Sequence, residues 1–387
     1  MNAKQLYAVA AAGVIALSLA ACGGSGAGTT STSAAPATTG ADTAAGGLIG
    51  VAMPTETSSR WIADGKAVKS GLEGLGYKVD LEYAGDDIPT QSNQIDAMIL
   101  AGAKVLIIAA IDGTALSSQL DAAAKAGIKV IAYDRLIRDS ANVDFYVSFD
   151  NYKVGVQQAT SLLVGLGLLK ADGSKGTATG PFNIELFAGS LDDNNAAFFF
   201  NGAVDTLKPY IDAKTLVVKS GQTTIDQAAT LRWDQATAQA RMDNLLTSTY
   251  ADGSKVDGVL SPYDGISRGI ITSLQNGGYS GTAGAGFPIV TGQDSEIDSV
   301  KLIADGVQFA SIFKDTRKLA AQAITVTQAY LSGGTPEAND TKTYDNGVKV
   351  VPSFLLESDI VYKDTIQKLL IDSGYWTAAQ VASGVAK

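Results

Sequence analysis

Two rhythms of hydrophobic and polar residues alternate along the first third of the chain. Short runs that are almost continuously apolar predict strands at 48–53, 78–83, 105–110 and 129–133. Longer stretches with apolar residues at helical spacing predict helices at 58–75, 91–100 and 115–126. Continuously apolar strands are typical of a sheet that is covered on both faces. Strand–helix alternation therefore predicts an α/β fold with a parallel, doubly wound sheet.

The same alternation starts again after residue 180. It predicts strands at 182–187, 216–218, 258–260 and 288–291, with helices at 195–207, 236–248, 266–275 and 299–304. The chain is thus predicted to contain two α/β units in series. Ligands of open α/β sheets bind beyond the carboxyl ends of the strands. The polar residues that follow each strand are therefore the candidates for function.

These strand ends carry carboxylates, amides, guanidinium groups and indoles. Sugar hydroxyls both donate and accept hydrogen bonds, which carboxylates, amides and a forked guanidinium can satisfy. An indole is a flat, rigid wall for the C–H face of a sugar ring. The set suits a monosaccharide, and the candidate binding residues are Arg60, Trp61, Asp134, Arg135, Asn194, Asn195, Trp233, Tyr263, Asp264, Asp294 and Lys314.

Each candidate also has a structural alternative when it is taken alone. An isolated Asp–Arg pair contributes little at a protein surface, an aspartate before a helix often caps it, and a lone tryptophan is commonly a core residue. The surface ion pair is the alternative for Asp134 with Arg135, and a core position is the alternative for Trp61 and Trp233. Helix capping is the alternative for Asp192, Asp193, Asp264 and Asp294. Their shared position after successive strands favours a binding site.

The amino terminus has the pattern of a secretory signal. Lys4 precedes an apolar stretch at 7–19, and small residues lead to Cys22, the single cysteine of the chain. This pattern predicts a signal peptide at 1–21 and resembles a bacterial lipobox, which implies lipidation of Cys22. Residues 22–47 are rich in Gly, Ser, Thr and Ala and are predicted to be a flexible tether. The protein is expected to be extracytoplasmic and lipid-anchored to the cell membrane.

Composition excludes several classes of function. The chain has no histidine, so Ser-His-Asp catalysis and imidazole metal sites are absent. A net charge of −10 argues against nucleic acid as a partner. Gly165 and Gly167 lack the third glycine of a dinucleotide-binding loop, and the sequence has no calcium loop of the EF-hand kind. We therefore expect no cofactor and no bound metal.

Several stretches resemble the xylose-binding and multiple-sugar-binding proteins of bacterial ABC importers, over residues 48 to about 376. The motifs that carry the resemblance are Ser59-Arg60-Trp61, residues 130–138, 182–187 and 189–195, Thr230-Leu231-Arg232-Trp233, Ser261-Pro262-Tyr263-Asp264-Gly265, Gly292-Gln293-Asp294 and residues 312–316. It implies a type I periplasmic-binding-protein fold, in which a three-strand hinge joins two Rossmann-like lobes. The implied lobes are residues 48–149 with about 315–340, and 150–314 with about 341–387.

The resemblance also implies roles for individual residues. By position, Arg60 and Trp61 form a wall of the first lobe, and Asp134 and Arg135 grip ring hydroxyls. Asn195, together with Asp193 or Asn194, makes the polar contact at the start of a second-lobe helix. Trp233 stacks on the sugar, Asp294 follows a Gly-x-Asp turn, and Lys314 lies near the hinge. Asp264 is expected beside them, while Tyr263 stands where many relatives carry asparagine. Trp376 is expected to lie far along the carboxyl-terminal tail.

Four functions fit these observations to different degrees. The leading one is an aldose-binding protein, for a sugar such as xylose, glucose, galactose or arabinose, that serves an ABC permease and its separate ATPase. The second is a sugar sensor whose closed form docks on a chemoreceptor or sensor kinase. A glycosidase using Asp134 and Asp294 is a third, although we expect no enzyme. A repressor is disfavoured because the lipobox and tether occupy the place of DNA-binding helices.

Overall fold

A computed structural model describes residues 47–386, and the predicted signal peptide and Cys22 lie outside them. In chain order the strands are β1 (Leu48–Met53), β2 (Lys78–Tyr83), β3 (Val105–Ile108), β4 (Lys129–Tyr133), β5 (Phe145–Phe149), β6 (Phe182–Leu186), β7 (Leu216–Val218), β8 (Gly258–Leu260), β9 (Thr282–Ala283), β10 (Gly286–Phe287), β11 (Ile289–Val290), β12 (Ala310–Phe313), β13 (Ser353–Leu356) and β14 (Asp359–Tyr362).

The α-helices lie mostly between these strands. They are α1 (Ser59–Gly74), α2 (Ile88–Leu100), α3 (Ser117–Lys125), α4 (Asn151–Gly165), α5 (Asn194–Asp212), α6 (Ile225–Ala228), α7 (Gln235–Ser248), α8 (Asp264–Asn276), α9 (Ile297–Asp305), α10 (Thr316–Leu331) and α11 (Ala378–Ser383). A 3-10 turn at Leu231–Trp233 precedes α7. In residues 47–386, no helix is long and apolar enough to cross a membrane.

The first lobe is built on a six-stranded parallel sheet with the order β13-β5-β4-β3-β1-β2. Successive residues of β3 enter opposite cores, because side chains alternate between the faces of a strand. Val105 and Ile107 pack in the core that α1 and α10 cover. Leu106 and Ile108 pack in the core that α2 and α3 cover. Both faces are buried, which explains the nearly continuous apolar runs in the sequence.

The second lobe is built on a four-stranded parallel sheet with the order β11-β8-β6-β7. One face of this sheet packs against α4 and α5, and the other packs against α7 and α8. The two parallel-sheet lobes confirm the predicted fold class.

Five predicted strands have the predicted bounds, namely 48–53, 78–83, 129–133, 216–218 and 258–260. Most of the other predicted strands and helices differ from the observed ones by one to five residues at their ends.

The chain crosses between the lobes three times, at 149–151, 313–316 and 356–359. Aspartate side chains start the helices at the first two crossings: Asp150 accepts a hydrogen bond from the Lys153 amide at 3.0 Å, and Asp315 accepts one from the Arg317 amide at 3.1 Å. At the third, β13 of the first sheet is followed by β14, which pairs with β12.

The expected last boundary, at about residue 340, is wrong. Strand β13 adds to the edge of the first sheet, parallel to β5, so the chain stays in the first lobe until Leu356. Tyr344 is buried in the core between the first sheet and helices α2 and α3. The sequence between α10 and β13 has no apolar rhythm that would show this return.

Candidate functional site

The cleft between the lobes holds a cavity of about 340 Å³. The carboxyl ends of strands from both sheets meet there, as the arrangement of open α/β sheets predicts. The structure brings together nine of the eleven candidates as lining residues. They are Arg60, Trp61, Asp134, Arg135, Asn195, Trp233, Tyr263, Asp294 and Lys314.

Arg60 is the centre of a buried ion cluster. Its Nη2 donates to Asp134 Oδ1 at 2.5 Å, its Nε donates to Asp64 Oδ2 at 3.1 Å, and its Nη1 lies 3.5 Å from Asp294 Oδ1. Asp64 also accepts a hydrogen bond from the Tyr133 hydroxyl, at 2.5 Å. Arg60 and Asp64 lie one turn apart on α1, so the helix itself places the carboxylate behind the guanidinium.

Lys314 completes the cluster from the crossing at 313–316. Its Nζ lies 3.0 Å from Asp294 Oδ1 and 4.0 Å from Asp134 Oδ1. Within residues 47–386, the Oδ2 atoms of Asp134 and Asp294 receive no hydrogen bond, so each carboxylate keeps one oxygen available to a ligand. Two carboxylates and two cations thus meet at one place, each carboxylate shared by both cations.

Asp64 and Asp134, the two first-lobe carboxyl groups that contact Arg60, have pKa shifts in opposite directions. Burial raises the pKa of Asp64 to about 7, because the Arg60 charge and the Tyr133 hydrogen bond offset only part of the desolvation. Burial acts on Asp134 in the same direction, but Arg60 and Lys314 outweigh it and lower the pKa of Asp134 to about 2. Asp134 is therefore ionised at neutral pH, while Asp64 is close to its midpoint.

Backbone conformation aims the two lining carboxylates. Asp134 has φ 60° and Asp294 has φ 89°, a left-handed region that few non-glycine residues adopt. The Asp134 carbonyl accepts three hydrogen bonds, from the Tyr146 hydroxyl at 2.6 Å, Ser148 Oγ at 2.9 Å and Asn195 Nδ2 at 2.7 Å. Strained residues persist where the surroundings fix them, which is common at binding sites.

Asn195 joins the lobes at this point. Its Nδ2 donates to the Asp134 carbonyl, and its Oδ1 accepts a hydrogen bond from Asn151 at 2.9 Å. The Asn195 Oδ1 atom also lies 2.8 Å from the Tyr146 hydroxyl oxygen, whose single proton it shares with the Asp134 carbonyl. Asp193 caps α5 by accepting from the Asn195 amide at 2.9 Å, so the capping alternative is correct for Asp193. Its other oxygen lies 3.2 Å from Arg135 Nε.

Asp134 and Arg135 do not pair with each other, although they are neighbours in sequence. Asp134 pairs with Arg60 and Lys314, whereas Arg135 pairs with Asp193 of the second lobe. Burial raises the pKa of Asp193, and the Arg135 charge opposes that shift. The surface ion-pair alternative is thus wrong, because both charges have buried partners elsewhere.

The two tryptophans occupy different surroundings. Trp61 is almost fully buried, and the guanidinium carbons of Arg60 and Arg135 lie 4.7 Å and 5.0 Å from its ring centre. Trp233 makes edge contacts with Phe199 and Tyr263, at centroid distances of 6.2 Å and 6.1 Å. Trp61 is therefore a core residue that also lines the cavity, while Trp233 is held by aromatic neighbours at its edge.

Asn194 and Asp264 do not line the cavity, so their contact with a ligand stays a prediction. Asp264 is fully buried, and its carboxylate accepts hydrogen bonds from the Glu296 amide at 2.9 Å, Gln308 Nε2 at 2.9 Å and Ser311 Oγ at 3.1 Å. Burial and the neighbouring Glu296 charge raise the pKa of Asp264 well above its usual range. Asp264, the first residue of α8, thus joins α8 to the loop before α9 and to β12.

Sequence reasoning missed several residues at the cleft. Ser58 donates across it to Glu296 Oε1 at 2.5 Å, and Glu296 also accepts from the Tyr263 hydroxyl at 3.1 Å. Phe199 lines the cavity beside Trp233. The spacing of four between Arg60 and Asp64 could have revealed Asp64. Nothing in the local sequence signals Glu296, because its partner is 238 residues away.

Comparison with known proteins places the chain in a family. The model of the periplasmic binding protein domain matches residues 49–335. The chain is 59% identical to the multiple sugar-binding periplasmic receptor ChvE of Rhizobium radiobacter, over 87% of this chain and 92% of that protein. It is 35% identical to the D-xylose-binding periplasmic protein of Escherichia coli K12, over 84% of this chain and 90% of the relative.

A solved structure has the same fold. The ABC transporter solute binding protein from Clostridium phytofermentans with bound β-D-glucose is 48% identical and superposes with a TM-score of 0.80, over 86% of this chain and 99% of that one. The family consists of binding proteins, which confirms the expectation that the chain is not an enzyme. The chain belongs to the periplasmic binding protein family.

Proposed function

We propose that the chain binds an aldose in the cavity between the lobes and delivers it to an ABC importer. The observation that carries the proposal is the cluster of Arg60, Asp134, Asp294 and Lys314, with Trp233 at the same cavity. Relatives at 59% and 55% identity are named as multiple sugar-binding proteins, and the solved relatives at 48% and 36% identity hold glucose.

Each group of the cavity has a task in this proposal. The available oxygens of Asp134 and Asp294 accept hydrogen bonds from sugar hydroxyls, and Arg60 and Lys314 donate to hydroxyl or ring oxygens. Charged groups make hydrogen bonds about twice as strong as neutral groups do. Trp233 covers the C–H face of the ring. Arg135, Asn195 and Tyr263 complete the proposed set of ligand contacts.

Closure of the lobes follows from the three crossings. A sugar held by residues of both lobes favours the closed arrangement over the open one, because only the closed cleft supplies all the contacts. The permease then recognises the closed shape, and no bond is made or broken. The lobes are in direct contact here, through Ser58–Glu296 and Asn195 with the Asp134 carbonyl.

Calorimetric titration of the purified protein with D-glucose, D-xylose, D-galactose and L-arabinose tests the proposal. We expect binding of more than one of them, because relatives at 59% and 55% identity are named for multiple sugars. A sugar at a hundredfold excess over its dissociation constant should raise the free energy of unfolding by about 2.7 kcal/mol. The absence of binding by all four aldoses would overturn the proposal.

The anchored location rests on the sequence of residues 1–47. We propose that Cys22 is lipidated and that the lipid holds the protein at the outer face of the cell membrane. Cys22→Ser should release the protein from the membrane fraction or slow its processing. Unchanged membrane retention of a correctly processed variant would contradict this.

A sensory role is the second candidate, because the relative at 59% identity is named a receptor. In that case the closed protein docks on a chemoreceptor or sensor kinase instead of a permease. Deletion of the gene separates the two roles: loss of labelled-glucose uptake indicates import, and loss of a sugar response with normal uptake indicates sensing.

A further inference from the structure

The backbone carbonyl of Asp192, which is not among the predicted binding residues, forms a contact between the two lobes. Its carbonyl oxygen accepts hydrogen bonds from the Gly113 amide at 3.1 Å and from Arg138 Nη2 at 3.2 Å. Gly113 follows β3 and Arg138 follows β4, so both donors belong to the first lobe. Asp192 lies in the loop between β6 and α5 of the second lobe. This contact therefore exists only when the lobes are together.

Arg232 holds the loop of Asp192 at two places. Its Nη1 donates to Asp192 Oδ2 at 2.6 Å, and its backbone amide donates to Ser190 Oγ at 2.8 Å. The acceptor carbonyl of Asp192 is thus fixed in place by a residue from the turn before α7. Neither contact reaches the first lobe directly.

Arg232 itself lines the cavity, beside Trp233, the next residue in the chain. Both residues have left-handed backbones, with φ 56° and 58°, and two such residues in a row are unusual outside glycine. The Trp233 ring lies so close to Gly189 that a Cβ there would be 2.0 Å from Cη2. The turn is held by packing, so displacement of the indole is transmitted to Arg232.

We propose that Arg232 and Asp192 form a latch that couples contact of the sugar with Trp233 to closure of the lobes. The inference rests on the proposed function. A sugar against Trp233 keeps the strained turn in place, Arg232 then fixes Asp192, and the Asp192 carbonyl meets Gly113 and Arg138. The latch delays opening, so its effect is on release of the sugar rather than on capture.

Stopped-flow kinetics with D-glucose test the latch in Arg232→Gln, Asp192→Asn and the double variant. Asparagine keeps the carbonyl that the first lobe binds and loses only the charge. We expect each single variant to release glucose roughly three- to tenfold faster, as for loss of one hydrogen bond, with an unchanged association rate. The double variant should release glucose no faster than either single variant, because both substitutions remove the same interaction.

Two further variants separate the latch from ordinary stability. Gly113→Ala places a Cβ 2.9 Å from the Leu136 carbonyl and 3.2 Å from Arg138 Nε, so it should displace the first-lobe donors and also speed release. Lys219→Gln breaks a salt bridge of 2.6 Å to Asp252 within the second lobe and should leave the release rate unchanged.

The outcomes distinguish failure of the latch from failure of the function. If the parent protein binds glucose and the variants release it at the parent rate, the latch is wrong and the function stands. If Arg232→Gln slows association or abolishes binding while Asp192→Asn does neither, Arg232 contacts the sugar itself and the latch is also wrong. If the parent binds none of the four aldoses, both proposals are overturned.

Discussion

The two walls of the cleft are built in different ways. The first-lobe wall consists of Arg60 and Asp134, which are buried and fixed by further partners, with Asp64 and Tyr133 behind Arg60. The second-lobe wall centres on Trp233, which sits on a short strained turn and is only partly buried. A wall fixed from behind can orient hydroxyls before the sugar arrives. A wall on a short turn can change position when the sugar binds. Substitutions in the first wall should therefore change stability and affinity, and those in the second should change affinity and closure.

Asp64→Asn should have the largest effect, on the pH dependence of stability. Between pH 4 and pH 7 the folded protein keeps a proton on Asp64 that the unfolded chain releases, so the free energy of unfolding falls as pH rises. The fall is up to about 1.4 kcal/mol for each pH unit, and so roughly 3 kcal/mol between pH 4.5 and pH 7. The variant lacks this contribution, and its stability relative to the parent should improve as pH rises.

Urea unfolding at four pH values between 4.5 and 7.5 measures this difference. Asp212→Asn, which removes an exposed carboxylate paired with Lys208, is the control and should run parallel to the parent. Parallel curves for Asp64→Asn and the parent would show that Asp64 is ionised throughout, and the ion cluster would then carry one more negative charge than we infer.

Asp134→Asn should weaken glucose binding about tenfold to a hundredfold, the range for hydrogen bonds to a charged group. Asparagine suits this position because it tolerates the left-handed backbone and leaves the three hydrogen bonds to the carbonyl intact. Calorimetric titration measures the loss. An affinity within twofold of the parent would mean that the ion cluster only holds the lobes together and does not contact the sugar.

The same group gives stability a second, opposite pH dependence. The pKa of Asp134 is lowered to about 2 in the folded protein, so its contribution is fully present above about pH 4 and is lost as pH falls towards 2. Asp64 and Asp134 share one guanidinium, yet they should respond to acid in opposite directions. Their different neighbours explain this, because the Lys314 charge lowers the pKa of Asp134 and is not among the main influences on the pKa of Asp64.

The sequence made Asp134 and Asp294 predictable because buried parallel strands are recognisable and their carboxyl ends share one edge. The same rule failed for Asp264, which also follows a buried strand. Its carboxylate accepts hydrogen bonds from groups near α9 and β12, and it does not line the cavity. The direction of a side chain after a strand depends on backbone angles and on distant partners, and neither is visible in a local pattern.

The carboxyl-terminal region shows the same limit. The sequence predicts that Trp376 lies far along the carboxyl-terminal tail, yet its Nε1 donates to the Ser295 carbonyl at 2.9 Å, next to Asp294. The residues from α9 and α11 that pack around it come from segments that are far apart in sequence. Contacts of this kind follow from the return of the chain to the second lobe after β13, which the pattern of polar and apolar residues did not indicate.

Trp233→Phe should weaken glucose binding about three- to tenfold, because phenylalanine covers less of the sugar face and the aromatic contribution is about 0.5–1.5 kcal/mol. Solution scattering should still show compaction on binding, since hinge closure moves whole lobes. Part of the sugar-dependent change in tryptophan fluorescence should be lost. Trp376→Phe is the comparison variant. Because the Trp376 indole contacts Ser295, beside Asp294, this variant should lose only a small share of the sugar-dependent fluorescence change.

Ser58→Ala should have the smallest effect and bears on closure alone. The Ser58 hydroxyl donates across the cleft to Glu296, which also accepts from the Tyr263 hydroxyl and from Arg268. Glu296 therefore stays partnered when Ser58 is shortened, and the loss should be near the lower end for a hydrogen bond, about 0.5 kcal/mol or twofold to threefold in affinity. Ser299→Ala is the matched control, because its hydroxyl joins the same network within the second lobe. If Ser58→Ala lowers the affinity for glucose more than tenfold, the hydroxyl contacts the sugar, and the fixed first-lobe wall includes Ser58 as well as Arg60 and Asp134.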